Sequence, residues 1–205
     1  AANFNGKQRR VIAFFHPFCD SGGGGEKVLF QGLKALLDDR MFEDDFICVY
    51  SGSELAPEAI LKKVQERFNI QVPLDPNRLA FVKLEGHQSM SGANYPSLTL
   101  LWQMLAYNAV AGEALSKVPC DVFIDTIGVG FAYPLVKILF GPRIVSYTHY
   151  PTISTDMLKQ TEAAQFNNKI GSNPLKIHIK KLYYRVLMAL YSACGRFADQ
   201  IGTNS

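Results

Sequence analysis

Short apolar runs alternate with longer stretches of helical periodicity along most of this 205-residue chain. Residues 11–15 form a continuous apolar run, and residues 26–37 then repeat apolar side chains every three to four positions, as an amphipathic helix does. Parallel strands that are buried on both faces are apolar throughout, whereas the helices that cover them are amphipathic. The alternation therefore predicts one α/β domain over residues 1–205, an open doubly wound parallel sheet of the Rossmann-like kind.

The individual elements follow from the same periods. Strands are predicted at 11–15, 46–50, 79–84, 122–124, 143–148 and 199–203, and helices at 26–37, 57–68, 96–118, 131–140 and 174–193. Two of the helices carry an apolar row that predicts a core stripe. The row on the helix 96–118 consists of Leu98, Leu101, Trp102, Leu105 and Ala109. The row on the helix 174–193 consists of Leu175, Ile179, Leu182, Val186 and Ala189.

Composition excludes several classes of function. The formal net charge is +3, and the basic residues are spread along the chain, which argues against a nucleic-acid partner. The four cysteines are far apart without a Cys-x-x-Cys pair, so neither a metal site nor a disulfide framework is predicted. No apolar run approaches the roughly 20 residues that span a bilayer. No cofactor is predicted either.

Four consecutive glycines, Gly22, Gly23, Gly24 and Gly25, separate the first strand from the first helix. A turn without Cβ atoms allows the backbone to approach a ligand closely. The helix that follows presents free N–H groups, which suit a phosphate. The alternative is a flexible strand-to-helix turn without a ligand. We favour the phosphate, because four glycines cost more backbone entropy than a simple turn requires.

Several segments give the chain a specific resemblance. Residues 14–19 with the glycines and Glu26 resemble the opening of the α-1,2-mannosyltransferases of the endoplasmic reticulum that use GDP-mannose. The block at 146–158, Ser-Tyr-Thr-His-Tyr-Pro-Thr-Ile-Ser-Thr-Asp-Met-Leu, is more distinctive still. Segments 119–126 and 166–168 also resemble that family. These enzymes are retaining glycosyltransferases of family four with the two-domain GT-B fold, and the resemblance covers only their N-terminal half.

The resemblance implies an activity and its partners. The complete enzyme would transfer mannose from GDP-mannose to a dolichol-diphosphate oligosaccharide, on the cytosolic face of the endoplasmic reticulum membrane. The donor-binding domain with its Glu-x7-Glu motif and the N-terminal membrane anchor of the family are not in this sequence. The chain also ends in a predicted strand and the start of a loop, which favours a piece of a larger protein.

Residues at the predicted carboxyl edge of the sheet are the candidates for the site. His149 and Asp156 are predicted catalytic residues, although His149 could instead fix the end of a strand and Asp156 could begin a helix. The predicted acceptor-binding residues are His16, Asp125, Tyr147 and Tyr150. For His16, a role in fixing the loop is equally compatible with the sequence. Glu26 is predicted to start or cap the first helix.

The helix 174–193 also carries cations and aromatic residues. The residues Lys180, Lys181, Tyr184 and Arg185 are predicted to face the membrane, where they would contact anionic lipid head groups. The simpler alternative is a solvated basic face on a packed helix.

Two other functions compete with the transferase. One is a non-catalytic module that binds the acceptor or recruits it to a membrane for a separate donor-binding chain. The other is a nicotinamide-dependent oxidoreductase, which would require an acidic residue at the end of the second strand. Tyr50, Ser51 and Gly52 occupy that place, so the oxidoreductase is the weaker hypothesis.

Overall fold

A computed structural model describes residues 2–4, 7–149 and 174–203. Their strands are β1 (Ala2–Phe4), β2 (Lys7–Arg9), β3 (Val11–Phe15), β4 (Phe46–Ser51), β5 (Leu79–Lys83), β6 (Val122–Asp125), β7 (Arg143–Thr148) and β8 (Gln200–Thr203). Their helices are α1 (Gly24–Asp38), α2 (Pro57–Phe68), α3 (Thr99–Lys117), α4 (Tyr133–Phe140) and α5 (Pro174–Gly195). The predicted elements are therefore all present, with ends that differ by a few residues.

The strand order determines where a ligand can bind. β1 and β2 form an antiparallel hairpin, and the other six strands form one parallel sheet in the order β5-β4-β3-β6-β7-β8. The chain starts in the middle of this sheet at β3, moves outward to β5, and returns to the opposite side of β3 at β6. This is the predicted doubly wound arrangement. The direction reverses between β3 and β6, and such sheets bind ligands at the carboxyl ends of those two strands.

Both faces of the sheet are covered, which explains the continuous apolar run of β3. Val11, Ala13 and Phe15 point into the core beneath α3 and α4. Phe14 points into the opposite core, beside Leu33 of α1. Successive side chains of a strand alternate between its faces. Because each face is buried, every position of β3 is apolar.

The predicted core stripes of α3 and α5 are wrong. On α3, Leu98 just before the helix and Trp102 and Leu105 within it are 52%, 47% and 50% exposed. The helix instead buries a row of mostly small residues, namely Ala106, Val110, Ala111, Ala114 and Leu115. On α5, the predicted row is turned outward, with Ile179, Leu182 and Val186 between 50% and 61% exposed. The side chain of Leu175 lies outside the described residues.

The packed faces of α3 and α5 differ in the size of their side chains. Both helices are apolar on more than one face, so periodicity alone does not select the buried one. Small side chains such as Ala111 and Ala114 let α3 approach the sheet closely, and both are fully buried. α5 packs through Leu187, which is buried, and through Tyr183 and Tyr191, which are partly buried. Other large aliphatic side chains, among them Leu105 on α3 and Leu182 on α5, lie on the surface.

Candidate functional site

The ends of β3 and β6 are joined by a hydrogen bond at the point where the strand order reverses. His16 follows β3 and Thr126 follows β6, and His16 Nδ1 lies 2.7 Å from Thr126 Oγ1. Phe15 and Asp125, the last residues of the two strands, are paired in the sheet register. The two loops that leave these strands are therefore held side by side, with α1 beginning directly above them.

The four glycines have different roles. Gly22 has φ +79°, a left-handed conformation that favours glycine. Gly23 is the N-cap of α1, and its N–H donates to Glu26 Oε2 over 2.6 Å. This is half of a capping box, and it confirms the prediction that Glu26 caps the helix. The amides of Gly24 and Gly25 have no hydrogen-bond partner within the described residues.

Glu26 contacts both the glycine loop, through the Gly23 N–H, and the His16 ring. The Glu26 side chain is buried, and its Oε1 lies 3.5 Å from His16 Nε2. Burial opposes ionisation of Glu26, but the hydrogen bonds from His16 and from backbone N–H groups prevail and lower its pKa. His16 itself is only 3% exposed, and both of its ring nitrogens face protein oxygen atoms. Its geometry supports the loop-fixing alternative rather than contact with a substrate.

His149 lies beside the same loop, just past the end of β7. Its Nε2 lies 3.7 Å from the point where a Cβ on Gly25 would stand. This nitrogen is shielded from solvent and has no hydrogen-bond partner in the described part of the chain. Such nitrogens are rarely left unpaired in proteins. The predicted catalytic histidine therefore lies beside the start of α1, and both have hydrogen-bonding groups that are unpaired within the described residues.

Tyr147 orients the His149 ring. The two ring centroids are 4.9 Å apart with an interplanar angle of 78°, an edge-to-face contact. On its other side, Tyr147 Cδ2 lies 3.4 Å from the position of a Cβ on Gly202 in β8. We therefore assign Tyr147 a positioning role for His149. The predicted site residues Tyr150 and Asp156 lie outside the described residues.

Asp125 lies behind the site rather than at its surface. It is fully buried, and its carboxylate accepts hydrogen bonds from the N–H groups of Ile127, Gly128 and Val129 and from the Tyr133 hydroxyl. Burial raises the pKa of Asp125, against the lowering effect of these four hydrogen bonds. The prediction that Asp125 binds an acceptor is not supported, because the side chain has no exposed surface. Its role is to hold the loop between β6 and α4.

The predicted membrane-facing residues of α5 lie away from the glycine loop. Lys180 and Arg185 are exposed, whereas Lys181 and Tyr184 are half-buried. Lys180 Nζ lies 5.7 Å from the centroid of the Tyr184 ring, which is within the range of a cation–π contact. None of the described helices is both long enough and apolar enough to cross a bilayer.

The Cys19 thiol beside the loop is poorly suited to nucleophilic chemistry. All four cysteines are free, and burial raises the pKa of the Cys19 thiol beside the loop to about 11. That thiol is protonated at neutral pH, so it is a poor nucleophile. Residues 2–4, 7–149 and 174–203 contain no group of three or more His, Cys, Asp or Glu side chains that could hold a metal ion.

Sequence reasoning missed Thr126 and two cations beside the loop. Thr126 was adjacent to a predicted residue, and its position at the end of β6 was the available signal. Lys63 and Arg67 of α2 line a cavity of about 370 Å³ next to Gly22. Their contact with the loop depends on the packing of α2 against α1, which no local pattern encodes.

The comparisons with known proteins agree on one family. Among curated proteins, the chain is 39% identical to a human protein and 38% identical to one of Xenopus tropicalis, over 98% of this chain and 41% of each relative. A relative from Kluyveromyces lactis is 36% identical over 97% of the chain and 34% of its own length. All three are named GDP-Man:Man(3)GlcNAc(2)-PP-Dol alpha-1,2-mannosyltransferase. The chain thus spans about two fifths or less of the length of these relatives.

Structural comparison adds little to this. A glucose-6-phosphate 1-dehydrogenase from Mycobacterium avium is 11% identical, with a TM-score of 0.43 over 76% of this chain and 33% of the other. That likeness is too low to support an inference. The family model described as the ALG11 mannosyltransferase N-terminus, in contrast, matches residues 9–205. With its doubly wound parallel sheet and its relatives along nearly the whole chain, this chain belongs to the ALG11 mannosyltransferase N-terminal family.

Proposed function

We propose that the protein containing this chain transfers mannose from GDP-mannose to a dolichol-diphosphate-linked oligosaccharide, forming an α-1,2 linkage with retention. The names of its relatives give the donor, the acceptor and the linkage. In this proposal the chain supplies the acceptor-side half of the enzyme and also contacts the diphosphate of the donor. The rest of the donor is bound by a second domain.

One juxtaposition carries the proposal. The amides of Gly24 and Gly25 and the Nε2 of His149, none of which has a partner within the described residues, lie close together at the start of α1. A helix start carries the positive end of the helix dipole, and its free N–H groups bind phosphate oxygens. A diphosphate bound there would satisfy the amides of Gly24 and Gly25. His149 would then donate to the sugar or to the phosphate.

In this proposal the chain contributes to catalysis mainly by electrostatic stabilisation of the departing diphosphate. In the retaining reaction that we propose, the acceptor hydroxyl attacks the anomeric carbon from the side on which the diphosphate leaves. The departing phosphate oxygen takes the hydroxyl proton. Negative charge grows on the diphosphate as its bond to the sugar breaks, and fixed N–H donors aimed at that charge lower the barrier. Tyr150 remains a proposed acceptor-binding residue, and Asp156 remains a proposed catalytic residue.

The variant Gly24→Ala tests the loop. A Cβ on Gly24 meets no heavy atom within 4 Å, so the fold is expected to tolerate it. The new methyl group would stand where the diphosphate approaches the start of α1. Because displacement of a reacting group by about 1 Å can cost roughly 100-fold in rate, we expect kcat/KM for GDP-mannose to fall by about that factor. Steady-state transfer to a short-lipid acceptor measures it.

Gly112→Ala is the matched control. Gly112 lies within α3, and its Cβ position is likewise free of heavy atoms within 4 Å. This variant is expected to transfer mannose at the wild-type rate. Wild-type kcat/KM in Gly24→Ala as well would remove the glycine loop from the donor site.

We also propose that α5 lies against the cytosolic surface of the endoplasmic reticulum membrane. The helix contains no acidic residue, and its outward apolar row is accompanied by the exposed cations Lys180 and Arg185. Apolar side chains flanked by cations are typical of helices at anionic lipid surfaces. Sedimentation of the intact protein with anionic and with neutral vesicles tests this placement. Stronger recovery with anionic vesicles is expected, and equal recovery with both would contradict it.

A further inference from the structure

A cleft lies between the start of α3 and the N-terminal half of α5. Its volume is about 450 Å³, within the range of about 300 to 1,000 Å³ that is usual for ligand pockets. Most of the side chains that line it are aliphatic or aromatic. The lining residues are Pro96, Leu98, Thr99, Leu100, Ile179, Lys180, Tyr183 and Tyr184.

The two walls of this cleft are fixed to each other. The Tyr183 hydroxyl of α5 accepts a hydrogen bond of 3.1 Å from the N–H of Leu101 in the first turn of α3. The same N–H also donates to the Leu98 carbonyl oxygen over 2.9 Å, so Leu101 shares its N–H between α5 and the residue that precedes α3. Tyr183 therefore holds the first turn of α3 at a constant distance from α5, and the cleft is part of the fold.

Leu98 presents an apolar side chain to the cleft from a strained backbone. Its φ is +50°, one of two positive values at non-glycine residues in the described part of the chain. A leucine rarely adopts the left-handed region, and strain of this kind concentrates at functional sites. The Leu98 side chain is nevertheless 52% exposed. Burial in the protein core therefore does not account for the strained conformation.

The charge at the rim of the cleft points to an anionic ligand. Lys180 lies at the rim with its Nζ over the Tyr184 ring, and no carboxylate in the described residues forms an ion pair with it. No acidic residue occurs in Pro174–Gly195. The cleft thus combines an apolar interior with a lysine at its edge that forms no ion pair within the described residues. A molecule that fits this combination has a branched hydrocarbon chain attached to a phosphate.

We propose that this cleft binds the first isoprene units of a polyisoprenyl diphosphate, with Lys180 beside the diphosphate. The inference rests on the proposed function, because the acceptor named for the relatives is a dolichol diphosphate. It assigns the lipid end of that acceptor to α3 and α5, apart from the glycine loop at the start of α1. The sugar end would then extend from the cleft toward the loop.

Farnesyl diphosphate is the probe for this site, titrated into the intact protein by calorimetry without GDP-mannose. Ile179→Asp places a carboxylate at the cleft on a side chain that is 59% exposed, so the fold is expected to survive. An unpaired charge facing an apolar ligand is costly, and we expect binding to weaken by about tenfold or more. Val186→Asp is the control, since Val186 is 50% exposed on the same helix but does not line the cleft.

A benzophenone-bearing farnesyl diphosphate locates the site directly. Photo-crosslinks within peptides that contain Leu98–Leu100 or Ile179–Tyr184, suppressed by unlabelled farnesyl diphosphate, support the proposal. Equal weakening by Ile179→Asp and Val186→Asp would overturn it, because a non-specific amphipathic face would respond in that way. Competition by pyrophosphate or by dodecyl phosphate as strong as that by farnesyl diphosphate would also overturn it.

The outcome is independent of the transfer reaction. Gly24→Ala, which tests the proposed function, is expected to bind farnesyl diphosphate with wild-type affinity. If that variant transfers mannose normally while the cleft still binds the probe, the loop assignment fails and the lipid site stands. If the probe does not bind while Gly24→Ala is impaired in transfer, the lipid site fails and the loop assignment stands.

Discussion

Replacing His149 by alanine is expected to lower the rate of mannosyl transfer by about 100-fold or more, the usual cost of removing one preorganised donor from an active site. In the site that we propose, Nε2 hydrogen-bonds to the donor sugar or diphosphate beside Gly25. The donor is then held less firmly and its developing charge is less stabilised. Because the Nε2 atom has no partner within the described residues, little stability should be lost. Steady-state kinetics with GDP-mannose measure the rate, and thermal unfolding checks the fold.

Two further variants sharpen this prediction. His149→Gln keeps a donor at a similar reach and should recover part of the activity. His178→Ala removes an exposed histidine of α5 and should leave transfer unchanged. A fall in kcat with an unchanged KM would indicate that the Nε2 interaction forms mainly in the transition state. Wild-type kcat and KM in His149→Ala would exclude His149 from the site.

Replacing Asp125 by alanine is expected to lower the free energy of unfolding by about 4 kcal/mol, because a buried donor left without its acceptor costs about 1–3 kcal/mol. The change leaves the N–H groups of Ile127, Gly128 and Val129 unsatisfied in the interior, together with the Tyr133 hydroxyl. Tyr133 keeps one neighbour, Ser146 Oγ at 2.6 Å. Denaturant unfolding measures the total, and hydrogen exchange of the three amides locates it.

Asp199→Ala is the comparison for this stability effect. Asp199 also accepts a hydrogen bond from a backbone N–H, that of Ile144, and it pairs with Lys137. Its side chain is 41% exposed, so water can replace the lost contacts, and a loss of about 1 kcal/mol or less is expected. A loss below about 1 kcal/mol in Asp125→Ala would mean that water enters the loop or that the loop rearranges.

The proposed site is assembled from three strand ends that are far apart in the sequence. His16, Thr126 and His149 follow β3, β6 and β7, which are neighbours in the sheet. All strands of this sheet run in the same direction, so their carboxyl ends meet at one edge. The glycine loop then crosses that edge and brings the start of α1 to His149. The same geometry explains why Asp125 is buried, because Asp125 is the last residue of β6, a strand in the centre of the sheet.

The sequence predicted much of this arrangement. Continuous apolar runs identified the parallel strands, and the apolar run before the four glycines placed the glycine loop between the first strand of the parallel sheet and the helix that follows it. Local chemistry also predicted the cap by Glu26 and the end of α4 at Gly141, which has φ +75°. These predictions hold because they depend on contacts within a few residues of one another.

Roles that depend on distant contacts were not predictable in the same way. His16 was compatible with either a binding or a supporting role until Thr126 and Glu26 were found on its two ring nitrogens. Asp125 was expected to bind an acceptor because it lies at the carboxyl end of the fourth predicted strand, whereas four donors from the loop and Tyr133 hold it in the interior. In each case the deciding partner lies on another element.

The sequence by itself determined the fold class, the order of the elements along the chain and the position of the glycine loop at the carboxyl edge of the sheet. Periodicity and glycine placement encode these features locally. Only the tertiary structure decided which apolar face of α3 and of α5 is packed and which is exposed. Each helix has apolar side chains on more than one face, and only one face is packed. On α3, the face with small residues such as Ala111 is the packed one, because small side chains allow close packing. Leu98, just before α3, and Ile179 of α5 line the cleft.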